Sequence, residues 1–575
     1  MPQFLLILIL LFGARGAWAL NVRVEVNGLE SRLRENVLTF LSVEQERSRD
    51  TLTEARLRLL HDRAEEEIRE ALQPFGYFKP EIQRSLSQDD EGVFLLRYSV
   101  QPGPPVELHE VDFQVMGEGA GNPAIGADFP LKQGDVLDQG VYESAKQRVL
   151  SSTIERGYLD ARYVQHQVRV DLKSYRASIV LHLDTGMRFR FGEVHFKQDA
   201  MDPDFLARYV TFKPGDPFSQ ESLLNLQAQL IDSEYFKRVE VFSRREGIEN
   251  DQVPIDIKLE PNKRNRYRIG LGYSTDTGPR VRLDWKDRRI GREGHRMRTE
   301  FLVSEPESTL TSEYIIPLDR PTVDTVRFGA SLEHFNTDTQ QGTKALLNAT
   351  HSISLERGWR RSLGVEYLYE DYKLSDQEDK ARLLYPFIDL LRIKSDRKPR
   401  IRKGKRLNFR LEGASSSIIS TTSYATVYAS GRFIESLGES DWRLLSRLEL
   451  GATWTKDLLE LPPSKRFFTG GDNTVRGFKY ESLGPKNASE EVIGGRYLAV
   501  GGLEVDHPLQ GKWSGAAFVD AGNAFDSKYD STPAYGLGLG LRWTSPVGPI
   551  RIDLARGLME DERHWRLHVM VGPEL

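Results

Sequence analysis

The carboxy-terminal half of the chain alternates, with a period of two, between apolar residues and residues that are polar or glycine. Residues 267–274 read YRIGLGYS, with apolar odd positions, and the alternation recurs at residues 280–285, 536–541, 550–554 and 565–571. This period is typical of β-strands with two unlike faces. A soluble β-sandwich would alternate too, but arginine, aspartate and glycine on the inner faces would destabilise a dry core and suit a wet lumen.

Sixteen segments of this kind follow Lys263. They begin near residues 266, 278, 294, 307, 325, 342, 361, 381, 405, 422, 440, 494, 513, 533, 548 and 563. An even number of strands without a long apolar helix predicts a closed, antiparallel, transmembrane β-barrel in an outer membrane.

Three short segments of the amino-terminal half resemble one another: residues 75–78 (FGYF), 156–159 (RGYL) and 233–236 (SEYF). Each follows a stretch with helical spacing of apolar residues and precedes an alternating stretch. The second and third units also share a beginning, LKQGD at 131–135 and FKPGD at 212–216. Three copies of one transition favour three related α+β modules of roughly 75 to 85 residues over chance similarity within one ordinary domain.

The chain therefore divides into five parts. Residues 1–19 have the pattern of a cleaved secretory signal, because an apolar run at 4–12 precedes the small-x-small sequence Ala17-Trp18-Ala19. That run is too short to cross a bilayer of about 30 Å, which disfavours a membrane anchor. The other parts are a first module at 20–105, a second at 106–187, a third at 188–262 and the barrel at 263–575.

Composition excludes several classes of function. The 575 residues include no cysteine, so the chain has no disulfide, thiolate nucleophile or cysteine metal site. The eleven histidines show no HExxH spacing, no GxSxG is present, and a net charge of −5 gives no reason to expect a nucleic-acid partner. An outer-membrane hydrolase is the enzyme alternative, but we expect no catalytic residue, metal or cofactor.

The connection between predicted strands 11 and 12 is unusually long. It runs from about residue 456 to residue 494 and carries FFTGG at 467–471 and VRGF at 475–478. A solvated surface loop has little use for so many aromatic residues and glycines. We therefore predict that this loop folds back into the lumen of the barrel.

Predicted strand 13 offers the loop a partner. In residues 515–522 (GAAFVDAG) the alternation places Phe518, Asp520 and Gly522 on the lumen wall. The predicted contacts are Arg476 with Asp520, Gly477 with Gly522, and Phe478 with Phe518. On these residues alone, a solvated arginine with an unrelated lumen aspartate is an equally good interpretation.

These motifs resemble those of a known family. The VRGF motif at 475–478 and the F-x-D-x-G motif at 518–522, combined with amino-terminal POTRA repeats and a sixteen-stranded barrel, resemble the outer-membrane assembly and two-partner-secretion superfamily. Three repeats, with YSTDTGPRV at 273–281, SPVGPIR at 545–551 and GPEL at 572–575, are similar to its TamA branch, the barrel subunits of translocation and assembly modules. The resemblance covers the mature chain.

The resemblance implies a role in inserting or folding outer-membrane proteins, autotransporters among them. It implies a barrel in the cell outer membrane, periplasmic POTRA repeats, and an inner-membrane-anchored, TamB-like partner that meets the repeats. It also implies that Arg476 and Asp520 lock the loop inside the barrel. The alternatives are a two-partner-secretion pore and the outer-membrane end of a phospholipid transport bridge.

The seam between the first and last strands has a distinctive composition. The last strand ends after Met570 in Gly572-Pro573, and Pro573 has no N–H to give to a neighbour. Gly270 and Gly272 lie on the first strand, and we place Gly270 near Met570. We therefore expect a short, weak seam that opens sideways to admit client strands. The alternative is that these glycines only relieve crowding in the lumen.

Two stretches rich in lysine and arginine, at 288–296 and 397–406, map to periplasmic turns. Anionic phospholipid headgroups or a partner protein would find complementary charge there. A solvated rim is an equally good interpretation of both stretches.

Overall fold

The structure of the protein is a computed structural model. It describes residues 20–49, 51–127, 129–396, 400–438, 441–528, 531–545, 548–559 and 563–571. The predicted signal at residues 1–19, together with Gly572 and Pro573 of the predicted seam, lies outside these described residues.

Three small three-stranded sheets precede the barrel. The first has the strand order β1-β3-β2, the second β4-β6-β5 and the third β7-β9-β8. Their strands are β1 (Val22–Asn27), β2 (Glu81–Gln88), β3 (Phe94–Gln101), β4 (Glu107–Met116), β5 (Arg162–Asp171), β6 (Arg176–Asp184), β7 (Arg190–Lys197), β8 (Phe236–Ser243) and β9 (Gln252–Pro261). The predicted domain limits all fall between these sheets, and as domain boundaries they stay a prediction.

The helices lie in the same three modules. They are α1 (Ser31–Phe40), α2 (Ser42–Glu46), α3 (Glu54–Leu72), α4 (Gln139–Glu155), α5 (Pro203–Ala207) and α6 (Gln220–Asp232). Short 3-10 turns occupy Gln73–Phe75, Glu118–Gly121, Glu356–Gly358 and Pro463–Lys465. No helix within the described ranges has the length and apolar character needed to cross a membrane.

Helix α3 shows how the sequence forms these modules. The Thr53 side chain caps the helix by accepting a hydrogen bond from the Arg56 N–H. Leu57, Leu60 and Ala64, spaced for one helix face, are fully buried against the first sheet's core. The helical expectation from the sequence is therefore confirmed for this segment.

The chain separates into two compact units. The first contains the described residues up to His195 together with Phe212–Leu224 and Phe242–Ile255. The second contains Phe196–Thr211, Asn225–Val241 and the chain from Asp256 onward.

Within the second unit, residues of the third module contact the barrel turn at residues 291–294. The Tyr235 hydroxyl donates a hydrogen bond of 2.5 Å to the Gly294 carbonyl, and the Phe205 ring lies over the same glycine. The Lys286 ammonium lies 2.9 Å from the Glu234 carboxylate. These contacts tie the end of the module to the wall rather than leaving it on a free linker.

Sixteen strands then form a closed barrel in which neighbours in sequence are antiparallel neighbours in space. They are β10 (Asn265–Ser274), β11 (Gly278–Ile290), β12 (His295–Val303), β13 (Glu307–Pro317), β14 (Asp324–Asn336), β15 (Gln340–Ser354), β16 (Trp359–Leu374), β17 (Gln377–Ser395), β18 (Lys403–Ala414), β19 (Tyr424–Ser436), β20 (Arg443–Thr455), β21 (Tyr497–Pro508), β22 (Trp513–Phe525), β23 (Ala534–Ser545), β24 (Gly548–Leu558) and β25 (Arg563–Val571). Every predicted strand start lies within about four residues of the observed one. The predicted fold class, three α+β modules followed by a sixteen-stranded antiparallel barrel, is confirmed.

The two faces of the wall follow the alternation in the sequence. On β23, the leucines at 537, 539 and 541 are exposed on the outer face. Gly536 and Gly538 face inward, where the backbone of the infolded loop and the Phe518 ring occupy the space that a Cβ would need. The inner glycines thus make room for material inside the barrel.

Candidate functional site

The long connection between β20 and β21, residues 456–496, lies inside the barrel. Thr469, Val475 and Phe478 are almost completely buried there. Lys465 forms a 2.6 Å ion pair with Glu412 on the β18 wall, and its ammonium lies 3.9 Å from the ring centroid of Tyr385. The prediction that this loop folds back into the lumen agrees with its position in the structure.

Arg476 forms the central contact of the loop. Its Nε donates to Asp520 Oδ2 at 2.7 Å and its Nη2 donates to Asp520 Oδ1 at 3.1 Å, in a two-pronged contact. Its Nη1 donates to Glu504 at 2.7 Å and to Asp553 at 3.1 Å. The guanidinium also lies 3.4 Å from the ring centroid of Phe518. The arginine is therefore held on every side.

The charges of this network balance. Burial acts to lower the pKa of the Arg476 guanidinium, but hydrogen bonds and charge from Asp520, with Glu504 and Asp553, outweigh burial and raise it. Three carboxylates would outnumber a single arginine. Two further arginines restore the balance, namely Arg447, 2.8 Å from Asp520, and Arg542, 2.7 Å from Glu504.

Two of the predicted contacts are wrong. Gly477 (φ +96°) does not approach Gly522, because a Cβ on Gly477 would lie 2.4 Å from the Gly557 nitrogen on β24. Gly522 (φ +149°) faces another neighbour, since its Cβ would lie 2.2 Å from the Ala499 carbonyl on β21. Both glycines permit close backbone approach, as predicted, but to different strands.

The aromatic pair is the other error. Phe518 lies under the Arg476 guanidinium instead of against Phe478. Phe478 packs in an apolar cluster with Val475, Leu483, Leu498, Val500 and Ala534. The loop path, which sequence alternation does not encode, decides which ring meets which neighbour.

The seam between β10 and β25 is much shorter than every other strand contact in the described barrel. Its register contains one pair, Ser274 with Met570. Other neighbouring strands share between eight pairs, for β11 with β12, and sixteen, for β16 with β17. Gly270 and Gly272 lie opposite Arg282 and Arg280 on β11, so the predicted placement of Gly270 near Met570 is wrong.

The outer residues of β10 show the consequence. Tyr267, Ile269 and Leu271 are 71%, 75% and 79% exposed, whereas Val281 and Leu283 on the next strand are 43% and 42% exposed. A lipid-facing residue between two paired strands is partly covered by its neighbours. The higher exposure on β10 therefore marks a strand edge that the described part of β25 does not cover.

The infolded loop closes the end of this seam at which β10 ends. The Asp472 carboxylate accepts hydrogen bonds from Ser274 Oγ at 2.5 Å, Thr275 Oγ1 at 3.0 Å and His568 Nδ1. The Gly477 N–H donates to His568 Nε2 at 2.8 Å, which assigns the imidazole proton to Nδ1. One aspartate thus connects the first hairpin to the last strand. We call Asp472 and His568 the seam clasp.

Asp276 lies beside the seam clasp. Its carboxylate accepts the Asp472 N–H, and Asp276, Asp472 and His568 bring potential metal-ligand atoms within 4.8 Å of one another. Both imidazole nitrogens already have hydrogen-bond partners, so the arrangement works as a hydrogen-bonded node. Burial, reinforced by the Asp472 charge, raises the pKa of Asp276 to about 6.

Sequence reasoning missed the seam clasp, Arg447, Arg542 and the two extra carboxylates. Glu504 and Asp553 occupy inward positions of β21 and β24. The strand alternation could have placed both in the lumen. It carried no signal that His568 would meet the loop, because that contact joins the last strand to a segment 96 residues earlier.

The comparisons with known proteins match the barrel and the modules before it to separate family descriptions. Residues 290–572 match the Omp85 superfamily domain. The barrel belongs to the Omp85 superfamily. Ahead of this Omp85 barrel, residues 23–102 match the POTRA domain described as TamA domain 1, and residues 189–262 match the POTRA description "surface antigen variable number repeat".

Curated relatives of this chain include outer membrane protein assembly factors named BamA. The one from Neorickettsia risticii is 20% identical over 464 residues, covering 75% of this chain and 60% of its own length. The one from Nitratidesulfovibrio vulgaris is 23% identical over 381 residues, covering 62% and 46%. The chloroplastic outer envelope protein 80 of Arabidopsis thaliana is 33% identical over 121 residues, covering 19% and 15%. The chain spans 60% or less of the length of each.

A solved structure agrees with the fold. The crystal structure of BamA from Haemophilus ducreyi lacking POTRA domains 1–3 superimposes with a TM-score of 0.70 at 15% identity, covering 80% of this chain and 98% of that one. At this identity the similarity concerns the fold alone.

Proposed function

We propose that this Omp85 protein assembles other outer-membrane proteins, autotransporters among them, and that client strands enter at the seam between β10 and β25. One observation carries the proposal: among the described residues, the seam contains a single register pair and is closed mainly by the infolded loop. Strand edges with unpaired N–H and C=O groups accept an added strand. Within the described part of the chain, residues 265–271 of β10 have no register partner on the side of β25.

The loop lock (Arg476, Gly477, Phe478, Phe518, Asp520 and Gly522) then acts as the support for the seam. Arg476 holds the loop on the β22 wall, while Asp472, four residues earlier, reaches across to Ser274 and His568. Opening the seam at this end requires the Asp472 bonds to break. Keeping the loop fixed lets those bonds form again when the client leaves.

A passive two-partner-secretion pore fits this lumen less well. The loop reaches from Lys465, paired on β18, to Arg476, paired on β22, and occupies the space between these walls. We therefore favour small, fluctuating conductance over a large, steady one.

The proposed partner is an inner-membrane-anchored, TamB-like protein that binds the POTRA repeats, with the barrel in the outer membrane and the repeats in the periplasm. The match of residues 23–102 to the TamA POTRA domain supports this branch of the superfamily. Strand β2 lies at a sheet edge and is largely exposed, which makes it a candidate strand for such a contact.

A disulfide across the seam tests the proposal. Ser274 and Met570 face each other, and the Thr275 N–H donates to the Val569 carbonyl, so Ser274 and Met570 form a non-hydrogen-bonded pair with a short Cα separation suited to a disulfide. Ser274→Cys with Met570→Cys introduces the only thiols, because the chain has no cysteine. We expect oxidation to stop client assembly in vesicles and reductant to restore it.

The matched control is Ser352→Cys with Ser362→Cys. Their hydroxyl oxygens are 2.9 Å apart across β15 and β16, which are already paired along their length. This disulfide should form and leave assembly unchanged. If the seam disulfide forms and assembly continues, the seam is not the route for client strands.

A further inference from the structure

Four cations share the outer face of three neighbouring strands, close to the turn that joins β17 to β18. They are Arg361 on β16, Arg392 and Lys394 on β17, and Lys405 on β18. Strand alternation places them on the same face as Leu363, Ile388 and Phe409, which are exposed on the outside of the barrel. We call the four cations the basic patch.

The basic patch has no counter-charge of its own. None of its members forms an ion pair with a carboxylate in the described part of the chain. Lys394 and Lys405 lie directly opposite each other in the β17–β18 register, and like charges in that position destabilise a sheet. Lys403, two residues before Lys405 on β18, differs from the patch because it forms an ion pair with Glu435 at 3.5 Å.

Aromatic rings border the patch. The Arg392 guanidinium lies 5.6 Å from the ring centroid of Trp359, and that ring lies 6.1 Å from Phe409. Tryptophan with arginine or lysine at the end of an apolar outer face is the arrangement that meets the boundary between hydrocarbon and headgroups. The patch therefore lies at the depth of lipid phosphates.

The patch belongs to the end of the barrel at which β10 begins, because β16 starts there and β17 ends there. We propose that the basic patch binds the phosphate of an anionic glycerophospholipid in the adjoining membrane leaflet. The proposal rests on the proposed membrane orientation, in which that leaflet is the periplasmic one. Arginine and lysine supply several donors to phosphate oxygens, and an anion between Lys394 and Lys405 removes their repulsion.

The position of the patch gives the site a role in the proposed assembly mechanism. β16, β17 and β18 are the seventh to ninth of the sixteen strands, so they lie on the side of the closed barrel opposite the seam. A lipid held there would anchor the wall that does not open.

Native mass spectrometry of the detergent-purified full-length protein tests the site. We would titrate dioleoylphosphatidylglycerol and, separately, dioleoylphosphatidylcholine, and count the lipids retained. We expect preferential retention of phosphatidylglycerol, and an affinity about tenfold lower in the variant Lys394→Gln/Lys405→Gln. Gel migration before and after heating shows that each variant has folded.

The matched control is Lys373→Gln/Lys380→Gln, which removes two outward lysines from the opposite end of β16 and β17. It should retain phosphatidylglycerol like the unaltered protein, and millimolar sn-glycerol 3-phosphate should not displace the lipid. Equal retention of phosphatidylcholine, an unaltered affinity in the patch variant, or displacement by glycerophosphate would each overturn the proposal. Because no client is present, these outcomes are independent of the seam disulfide experiment.

Discussion

The wall at the seam and the wall opposite it are built in contrasting ways. In the part of the chain that the structure describes, β10 and β25 share one register pair, whereas β16 shares fifteen pairs with β15 and sixteen with β17. Closure at the seam depends on side chains, chiefly Asp472 and His568. The comparison teaches that backbone pairing supplies rigidity on one side of the barrel, and that a loop supplies a breakable closure on the other.

Magnitudes support this division of roles. A backbone hydrogen bond contributes about 0.5–1.5 kcal/mol net. Separating β16 from β17 therefore costs on the order of ten kcal/mol or more, while the described residues of the seam share about one such bond and a few side-chain bonds. We therefore expect opening at the seam rather than between β16 and β17.

The largest effect should come from removing Arg476. Arg476→Ala leaves Asp520, Glu504 and Asp553 buried without their shared cation, which costs about 3–5 kcal/mol. We expect the loop to leave the lumen and become open to added protease, while the β16–β17 wall stays protected. Limited proteolysis with mass mapping of residues 456–496 measures the release.

Arg360→Ala is the matched control, because Arg360 also lies on the inner face but is exposed at the strand end. Its effect should stay within about 0.5 kcal/mol. A protected loop in the Arg476 variant would show that Asp472 and Lys465 suffice to hold it. The loop lock would then not be the support that we propose.

A smaller effect is expected at the seam clasp. Asp472→Ala removes the acceptor shared by Ser274, Thr275 and His568, at a cost of about 1–3 kcal/mol. Hydrogen exchange should rise at residues 272–275 and 566–570 and stay unchanged in β16 and β17. Ser352→Ala, which removes one hydroxyl contact in the opposite wall, should leave both regions unchanged. Equal protection of the seam in the Asp472 variant would assign closure to the single backbone pair.

The sequence predicted the positions of the strands better than the register across the seam. Alternation of apolar and polar residues locates strands from local information, so strand starts such as Gly278, Glu307, Trp513, Gly548 and Arg563 coincide with the predicted positions. The inward positions of Phe518 and Asp520 follow from the same period of two. The period therefore also places both side chains where an infolded loop can contact them.

The register across the seam could not be predicted in this way. The first and last strands meet only when the barrel closes, and the stagger of all sixteen strands decides which residues face each other. Met570 consequently lies opposite Ser274 rather than near Gly270. Asp472 has no pattern of its own in a loop sequence, so its three hydrogen bonds could be found only in three dimensions.

The smallest predicted effect concerns pH. Burial, with the Asp472 charge next, raises the pKa of Asp276 to about 6, above the usual value of 3.8. An acid whose folded-state pKa is raised binds more protons folded than unfolded between these values, so stability at this site falls as pH rises from about 4 to about 6. The seam end should therefore open more readily at pH 7 than at pH 5. Asp276→Asn should reduce that difference in the thermal unfolding midpoint, since the amide does not titrate. Asp371→Asn, on the outer face of β16, is the control and should leave the pH dependence of the unfolding midpoint unchanged. If the Asp276 variant keeps the pH profile of the unaltered protein, the Asp276 carboxylate does not weaken the seam.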